Sequence, residues 1–307
     1  MINLSIIIPN WNGEKQLAKN LPLLVKVLSS SKIEMEVIVV DDASSDNSLT
    51  ILDKFRQDKL FRNFTVLKKK VNKGFADSVN WGVATARGEI VFLLNTDVVV
   101  KKGCFEALLP HLEKPDVFAV GANADWQIGI VRFKDGFFDI SSPKKVSSKT
   151  INAQRSFWVS GGHAAFRKEI WQKLGGIDTL FAPFYFEETD LCYRAWKRGY
   201  QVLWEPKAKV DHCHEESVIR QNFSADHINF IAQRNQLFFT WKNIHDPRMM
   251  KEHYFNLLKR LISHPKYTRV FLTAILKLPQ VLAKRRVEKK AAILSDREVY
   301  ELVTGKQ

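Results

Sequence analysis

The feature that most constrains this chain is a repeated pair of patterns in its first 112 residues. Short apolar runs at 4–8, 37–40, 64–67 and 90–94 are each followed by a stretch of helical period, at 14–30, 46–59, 75–86 and 103–112. Runs with almost no polar alternation belong to strands covered on both faces, and the intervening helices supply that cover. The expected fold class is α/β, with a doubly wound and mostly parallel sheet. Ligands of such sheets bind outside the carboxyl ends of the strands. The functional candidates are therefore residues 9–12, 41–46, 72–74 and 95–97.

Further along, the pattern changes. Residues 122–156 have weak periodicity and many Ser, Lys and Asp, which reads as a long loop or hairpin excursion of the kind that forms lids. From 157 to 217 apolar runs return, with a helix opening near Glu187 and closing at Gly199, and strands at 201–204 and 208–211. Beyond 226 the chain reads as helical. Tyr254, Leu257, Leu258, Leu261 and Ile262 fall on one face, and the apolar stretch 270–282 is broken by Lys277 and Pro279. The expected organisation is one domain over 1–225 and a basic helical C-terminal extension over 226–307.

Several function classes lose their support at this stage. No Gly-x-Gly-x-x-Gly follows the first strand and no Gly-Lys-Ser/Thr loop exists, against dinucleotide dehydrogenases and P-loop enzymes. Three cysteines cannot form a paired disulfide framework and suit a reducing compartment. The first apolar run is too short for a secretory signal or a membrane span, so a cytoplasmic protein is expected. Of the net charge of +14, residues 226–307 carry +9, from 16 basic and 7 acidic side chains. That field favours anionic partners, but the tail carries no nucleic-acid-binding motif, so no nucleic acid partner is expected.

Acidic residues stand where the topology places ligands. Asp41 and Asp42 close the second apolar run, and Asp97 follows the fourth. Carboxylates there can receive a sugar nucleotide or hold a divalent cation, because a diphosphate calls for a hard ion with oxygen ligands. Ordinary loop capping is the competing use.

Seven segments in order carry a resemblance: IIIPNWNG, VIVVDDASSDNS, NKGFADSVNWG, GEIVFLLNTDV, VSGGHAAFRKEIWQKLGGID, FYFEETDLCYRAWKRGY and VLWEPKAKVDHCHEES. Together they resemble family two of the glycosyltransferases through about residue 217, in the branch that includes bacterial rhamnosyltransferases. The resemblance implies a GT-A fold and a dependence on a divalent cation, Mg²⁺ or Mn²⁺. It implies inverting transfer of a sugar from a dTDP- or UDP-linked donor to a glycan or lipid-linked acceptor in cell-surface polysaccharide synthesis. A catalytically silent member that only binds sugar nucleotide is the alternative.

Carried over by position, the resemblance places Pro9 and Asn10 in the nucleoside loop, with Asp41 receiving the base and Asp42 beside it. Asn72, Lys73 and Gly74 match the turn near the nucleotide, and Asn95-Thr96-Asp97 takes the place of the Asp-x-Asp metal motif. Asn at the first position leaves Asp97 as the main cation ligand, with His212 as the late histidine that completes the site. Trp158, Gly161 and Gly162 match the acceptor-side turn. Glu188 occupies the position of the catalytic base, where the family has Asp, with Glu187 and Asp190 as neighbouring acids that bind substrate or take the base role instead. Asp190 could also pair with Arg194 four residues on.

The tail carries a last expectation. The apolar faces at 254–262 and 270–282, followed by Lys284, Arg285, Arg286, Lys289 and Lys290, suit peripheral contact with the inner face of the cell membrane. Packing on the first domain or a homodimer contact competes for the same helices.

Overall fold

The computed structural model describes residues 3–58, 60–140, 144–213 and 218–305. The first half follows the expected alternation: β1 (Leu4–Asn10), α1 (Glu14–Ser30), β2 (Met35–Asp41), α2 (Ser48–Gln57), β3 (Phe64–Lys68), α3 (Phe75–Thr85), β4 (Ile90–Leu94), β5 (Val98–Val100), α4 (Cys104–Leu112) and β6 (Val117–Asn123). The excursion resolves into short strands, β7 (Gln127–Ile128), β8 (Arg132–Lys134), β9 (Phe137–Asp139), β10 (Lys144–Lys145) and β11 (Gln154–Arg155). Then come β12 (His163–Arg167), α5 (Lys168–Leu174), α6 (Glu187–Lys197) and β13 (Gln201–His212), a single strand where two were expected. Helices α7 (Val218–Asn222), α8 (Ala225–Asn243), α9 (Pro247–Ser263), α10 (Tyr267–Ile275), α11 (Leu278–Ala291) and α12 (Asp296–Thr304) complete the chain.

Among the described residues the central sheet has the order β11-β13-β6-β12-β4-β1-β2-β3, with β5 pairing to β13. The pairs β1/β2, β1/β4, β2/β3 and β6/β13 are parallel, whereas β12 runs antiparallel between β4 and β6. The apolar runs lack alternation because each face of the sheet has its own core. Leu4, Ile6 and Ile8 of β1 pack with α1, α2 and α4, while Ile7 packs with α3 on the other side. Burial on both faces demands apolar side chains at odd and even positions alike.

Helix α3 lies unusually close to the sheet. A Cβ on Gly82 would stand 2.4 Å from Ile7 Cγ2 and 3.2 Å from Val40 Cγ2, and both neighbours are fully buried. Gly82→Ala is expected to cost about 1–3 kcal/mol through overpacking, read as a lower urea midpoint. An unchanged midpoint would mean that the helix lifts freely.

The boundary expected at 225/226 falls at the first residue of α8, but the packing runs across it. Leu237, Phe238 and Phe239 of α8 share one buried cluster with Phe166, Tyr193 and Trp196. Ion pairs reinforce the join: Lys242 Nζ lies 2.7 Å from both Asp178 Oδ2 and Asp190 Oδ1, and Lys197 Nζ lies 2.7 Å from Asp296 Oδ1.

Candidate active site

The end of β4 leads into the turn Asn95-Thr96-Asp97, which three separate elements hold. Asn95 N–H donates to Gly162 O (2.9 Å), Asn20 Nδ2 donates to Thr96 O (2.7 Å), and Cys213 N–H donates to Asp97 O (3.1 Å). Val98 pairs with His212 across β5/β13, which brings the imidazole beside Asp97, with His212 Nε2 3.5 Å from Asp97 Oδ2. Asp97 Oδ1 is buried and accepts no hydrogen bond among the described residues. A buried carboxylate oxygen without a donor, next to an imidazole, fits a cation site. Among the described residues, no group of three or more His, Cys, Asp or Glu side chains could hold an ion. The remaining ligands would have to come from a diphosphate and water, the usual arrangement for such ions.

His163, which the resemblance places with Trp158, Gly161 and Gly162 in the acceptor-side turn, lies instead beside the cation-site histidine. Its ring centroid lies 5.6 Å from that of His212. Burial, with His212 second, lowers its pKa to about 4, so it stays neutral at physiological pH. The signal available was its place at the start of β12, whose pairing with β4 sets His163 opposite Leu94.

The acidic pair faces this turn from α6. The Gly161 backbone amide lies close enough to the Glu188 carboxyl to favour its ionised form. A Cβ on Gly161 would stand 3.2 Å from the Phe75 ring and 3.8 Å from Glu188 Oε1, while one on Gly162 would stand 2.7 Å from Asn95 Nδ2. Four residues singled out from sequence, Asn95, Gly161, Gly162 and Glu188, thus meet at one place, and Gly162 is what lets Asn95 approach so closely. Burial raises the pKa of Glu188, opposed by the backbone amides beside it. Glu187 is raised well above the ordinary carboxylate range, first by burial and then by the charge of Glu188. Two adjoining carboxyls in one dry site do not both ionise readily, so the pair titrates together.

Asp190 lies elsewhere. It is fully buried, and its carboxylate receives Arg194 Nε (2.8 Å), Lys242 Nζ (2.7 Å) and Asn243 Nδ2 (2.8 Å). With its lone pairs used by α6 and α8, it is a joint between helices and has no surface for substrate. The pairing with Arg194 at four residues' spacing is the one the sequence suggested.

The nucleoside side shows a similar division of labour. Asp41 is fully buried and accepts from Asn10 Nδ2 (2.8 Å), Ser44 N–H (3.0 Å) and Ser44 Oγ (2.6 Å). It binds the β1 and β2 loops to each other, and a base cannot touch it in this conformation, which corrects the expectation of direct contact. Asp42 organises the next loop: it accepts from the Lys73 N–H (2.9 Å) and Gly74 N–H (2.6 Å). Gly74 has φ +85°, a left-handed conformation suited to Gly, and Asn72 Oδ1 also accepts from its N–H. Lys69, in the run Lys68-Lys69-Lys70, is not singled out by the sequence. Its side chain is buried between Asp42 Oδ1 (3.2 Å) and Asp77 Oδ1 (2.6 Å). The Asn72 and Lys73 side chains are exposed beside this loop, and Pro9 is half-buried. Trp158 is half-buried, and its ring packs over Gly129 with Nε1 unpaired among the described residues.

A wide likeness in fold accompanies this geometry. GalNAc-T7, solved with UDP, GalNAc and Mn²⁺, superposes with a TM-score of 0.64 at 14% identity over 87% of this chain and 57% of that one. TarS 1-349 from S. aureus, solved with UDP-GlcNAc, superposes with a TM-score of 0.60 at 16% identity, covering 99% and 90%. The fold is GT-A: a mixed, mostly parallel sheet with flanking helices and a helical C-terminal region. The family profile described as Glycosyl transferase family 2 matches residues 5–175, more than half of the chain, and the chain belongs to that family. Among curated relatives, the protein named "Probable glycosyltransferase YdaM" from Bacillus subtilis is 27% identical over 66% of this chain and 49% of its own length. Poly(ribitol-phosphate) beta-N-acetylglucosaminyltransferase TarS from Staphylococcus aureus is 36% identical over 33% of this chain and 17% of its own. The chain spans about half the length of several curated relatives it matches.

Proposed function

We propose that this chain transfers a sugar from a UDP- or dTDP-linked donor to a hydroxyl of a glycan or lipid-linked acceptor, with inversion, in cell-surface polysaccharide synthesis. The observation that carries the reading is the meeting of the Asn95–Asp97 turn with Glu188 across Gly161 and Gly162. The names of the relatives and the nucleotides in the solved neighbours support the donor class.

The chemistry assigned to each residue follows from its surroundings. Glu188 takes the proton of the acceptor hydroxyl as that oxygen forms its bond to the anomeric carbon and the carbon–oxygen bond to the diphosphate breaks. The Gly161 amide beside Glu188 favours the ionised carboxylate. Glu187 shares the same dry site, where a second negative charge is disfavoured. Asp97 and His212 would hold the divalent cation, Mg²⁺ or Mn²⁺, whose chemistry when bound is to neutralise charge on the leaving diphosphate. The loop tied by Asp42, with Lys73 at its exposed edge, lines the nucleotide side.

The reading extends to where the protein works. Tyr254, Phe255, Leu258 and Ile262 form an exposed apolar stripe on α9, whereas Leu257 is buried, so the single face expected from sequence divides in two. Leu272 and Leu276 are exposed at α10 and just beyond. The basic cluster divides likewise. Lys284 pairs with Asp178 (3.0 Å) and Arg285 donates to Trp241 O (2.7 Å), which leaves Arg286, Lys289 and Lys290 exposed. Among the described residues no helix is long and apolar enough to cross a membrane. An exposed apolar stripe, with exposed basic side chains elsewhere in the C-terminal helices, supports peripheral contact with an anionic lipid surface. Vesicle co-sedimentation is expected to recover the protein with anionic but not neutral liposomes, with loss of binding at high salt and in Leu258→Glu/Ile262→Glu. Equal recovery in the supernatant with both lipids, or a dimer that buries the stripe, would contradict it.

A further inference from the structure

The segment that delivers Glu187 and Glu188 is held in an unfavourable backbone conformation. Tyr185 and Phe186 have φ of +71° and +74°, in the left-handed region that bulky residues avoid, and Phe186 is the residue from which α6 starts. Such conformations persist only where the surroundings over-determine them. Here one buried side chain bonds three carbonyls of the turn. Asn235 of α8 is fully buried, and its Nδ2 lies 2.6 Å from Phe181 O, 2.9 Å from Phe184 O and 2.8 Å from Tyr185 O. Two N–H bonds are shared among three carbonyls of the same turn. Arg234 completes the clamp, donating to Asn235 Oδ1 (3.1 Å from Nε) and to Ala182 O. Eight residues on, Lys242 and Asn243 fix Asp190 in the first turn of α6. Helix α8 therefore grips the start of α6 on both sides of the acidic pair.

From this arrangement we infer that Asn235 is a positioning residue: it holds the 181–186 turn so that Glu188 stays beside Gly161 and reaches the acceptor hydroxyl. The inference rests on the reading of Glu188 as the base. The chemistry of the position is narrow. Three buried carbonyls need a compact, neutral, donor-only group on the side facing them. An amide supplies one, with its oxygen turned to a guanidinium. Alanine or leucine would leave the carbonyls unsatisfied, and a carboxylate would repel them.

The test uses the full chain with the preferred donor and acceptor, and compares Asn235→Ala with Thr240→Val. Thr240 is equally buried in α8 but bonds only to Gln236 O of its own helix. A shift of about 1 Å in a reacting group costs on the order of 100-fold. Asn235→Ala is thus expected to lower kcat about 100-fold, to bind nucleoside diphosphate with unchanged affinity and stoichiometry by calorimetry, and to move the acid limb of the kcat/KM pH profile. Thr240→Val should match the parent protein in all three. A merely structural role predicts something else: loss of turnover in step with loss of nucleotide sites, with the acid limb unmoved. That result overturns the proposal. Should Asn235→Ala not fold, Asn235→Ser is read in the same way, and amide hydrogen exchange over 181–188 in the parent protein stands independently. Protection as deep as in α8 supports the clamp, and fast exchange there overturns it. Glu188→Gln run in parallel separates the two assignments. If it retains turnover, the base assignment fails and takes this one with it. If it is dead while Asn235→Ala keeps kcat and pH profile, only the positioning role fails.

Discussion

Glu188→Gln is expected to keep the fold and the affinity for nucleoside diphosphate while sugar transfer falls about 10²- to 10⁴-fold, the range for loss of a general base. The amide nearly preserves the shape of the carboxyl but cannot take a proton. The parent pH profile belongs to the same prediction. Burial raises the pKa of Glu188, and only the ionised form works, so kcat/KM should decline as pH falls through a value above the ordinary carboxylate range. Because Glu187 adjoins it, the limb reports the pair more than either residue. Glu187→Gln should remain active. If Glu187→Gln is the dead variant and Glu188→Gln is not, the base has been placed one residue too far along the helix.

Asp97→Ala is expected to reduce turnover by about 10³-fold or more, since stabilising charge on a departing diphosphate contributes several kcal/mol. The loss should be accompanied by a loss of cation binding, followed by Mn²⁺ electron paramagnetic resonance in the presence of nucleoside diphosphate. Asn95→Asp should not behave this way. Asn95 contacts Gly162 and the strand end, and no charge is required there. Full activity of Asp97→Ala in chelator would remove the metal role from this site.

Much of this was legible in the order of residues. The four βα units and the turn at Asn95–Asp97 lie where apolar period places them, because local patterns determine local structure, whereas the start of α6 is held by contacts from α8. The hidden parts depend on pairings between distant segments. Asp41 and Asp42 look equivalent as neighbours. One is spent on Asn10 and Ser44 and the other on the Lys73 and Gly74 amides, which no local pattern distinguishes. Lys69 stands in a basic run, and its burial between Asp42 and Asp77 appears only once β3 and α3 are packed. Asn235 sits in a stretch that reads as a separate tail, since nothing in AQRNQLFF announces three carbonyls 50 or more positions earlier in the chain. The apolar residues of α9 show the converse: helical period groups Leu257 with Leu258, and only tertiary packing buries one and exposes the other.

The central claim is that this cleft cleaves the bond between a sugar and a nucleoside diphosphate. It is tested most directly by incubating the full chain with a panel of UDP-, dTDP- and GDP-linked sugars and Mn²⁺ or Mg²⁺, and following release of free nucleoside diphosphate without acceptor. Slow, cation-dependent release from at least one UDP- or dTDP-sugar, abolished by chelator and in Asp97→Ala, is the expected result. Binding of those donors with no release under any cation would contradict it and leave the chain as a sugar-nucleotide-binding protein.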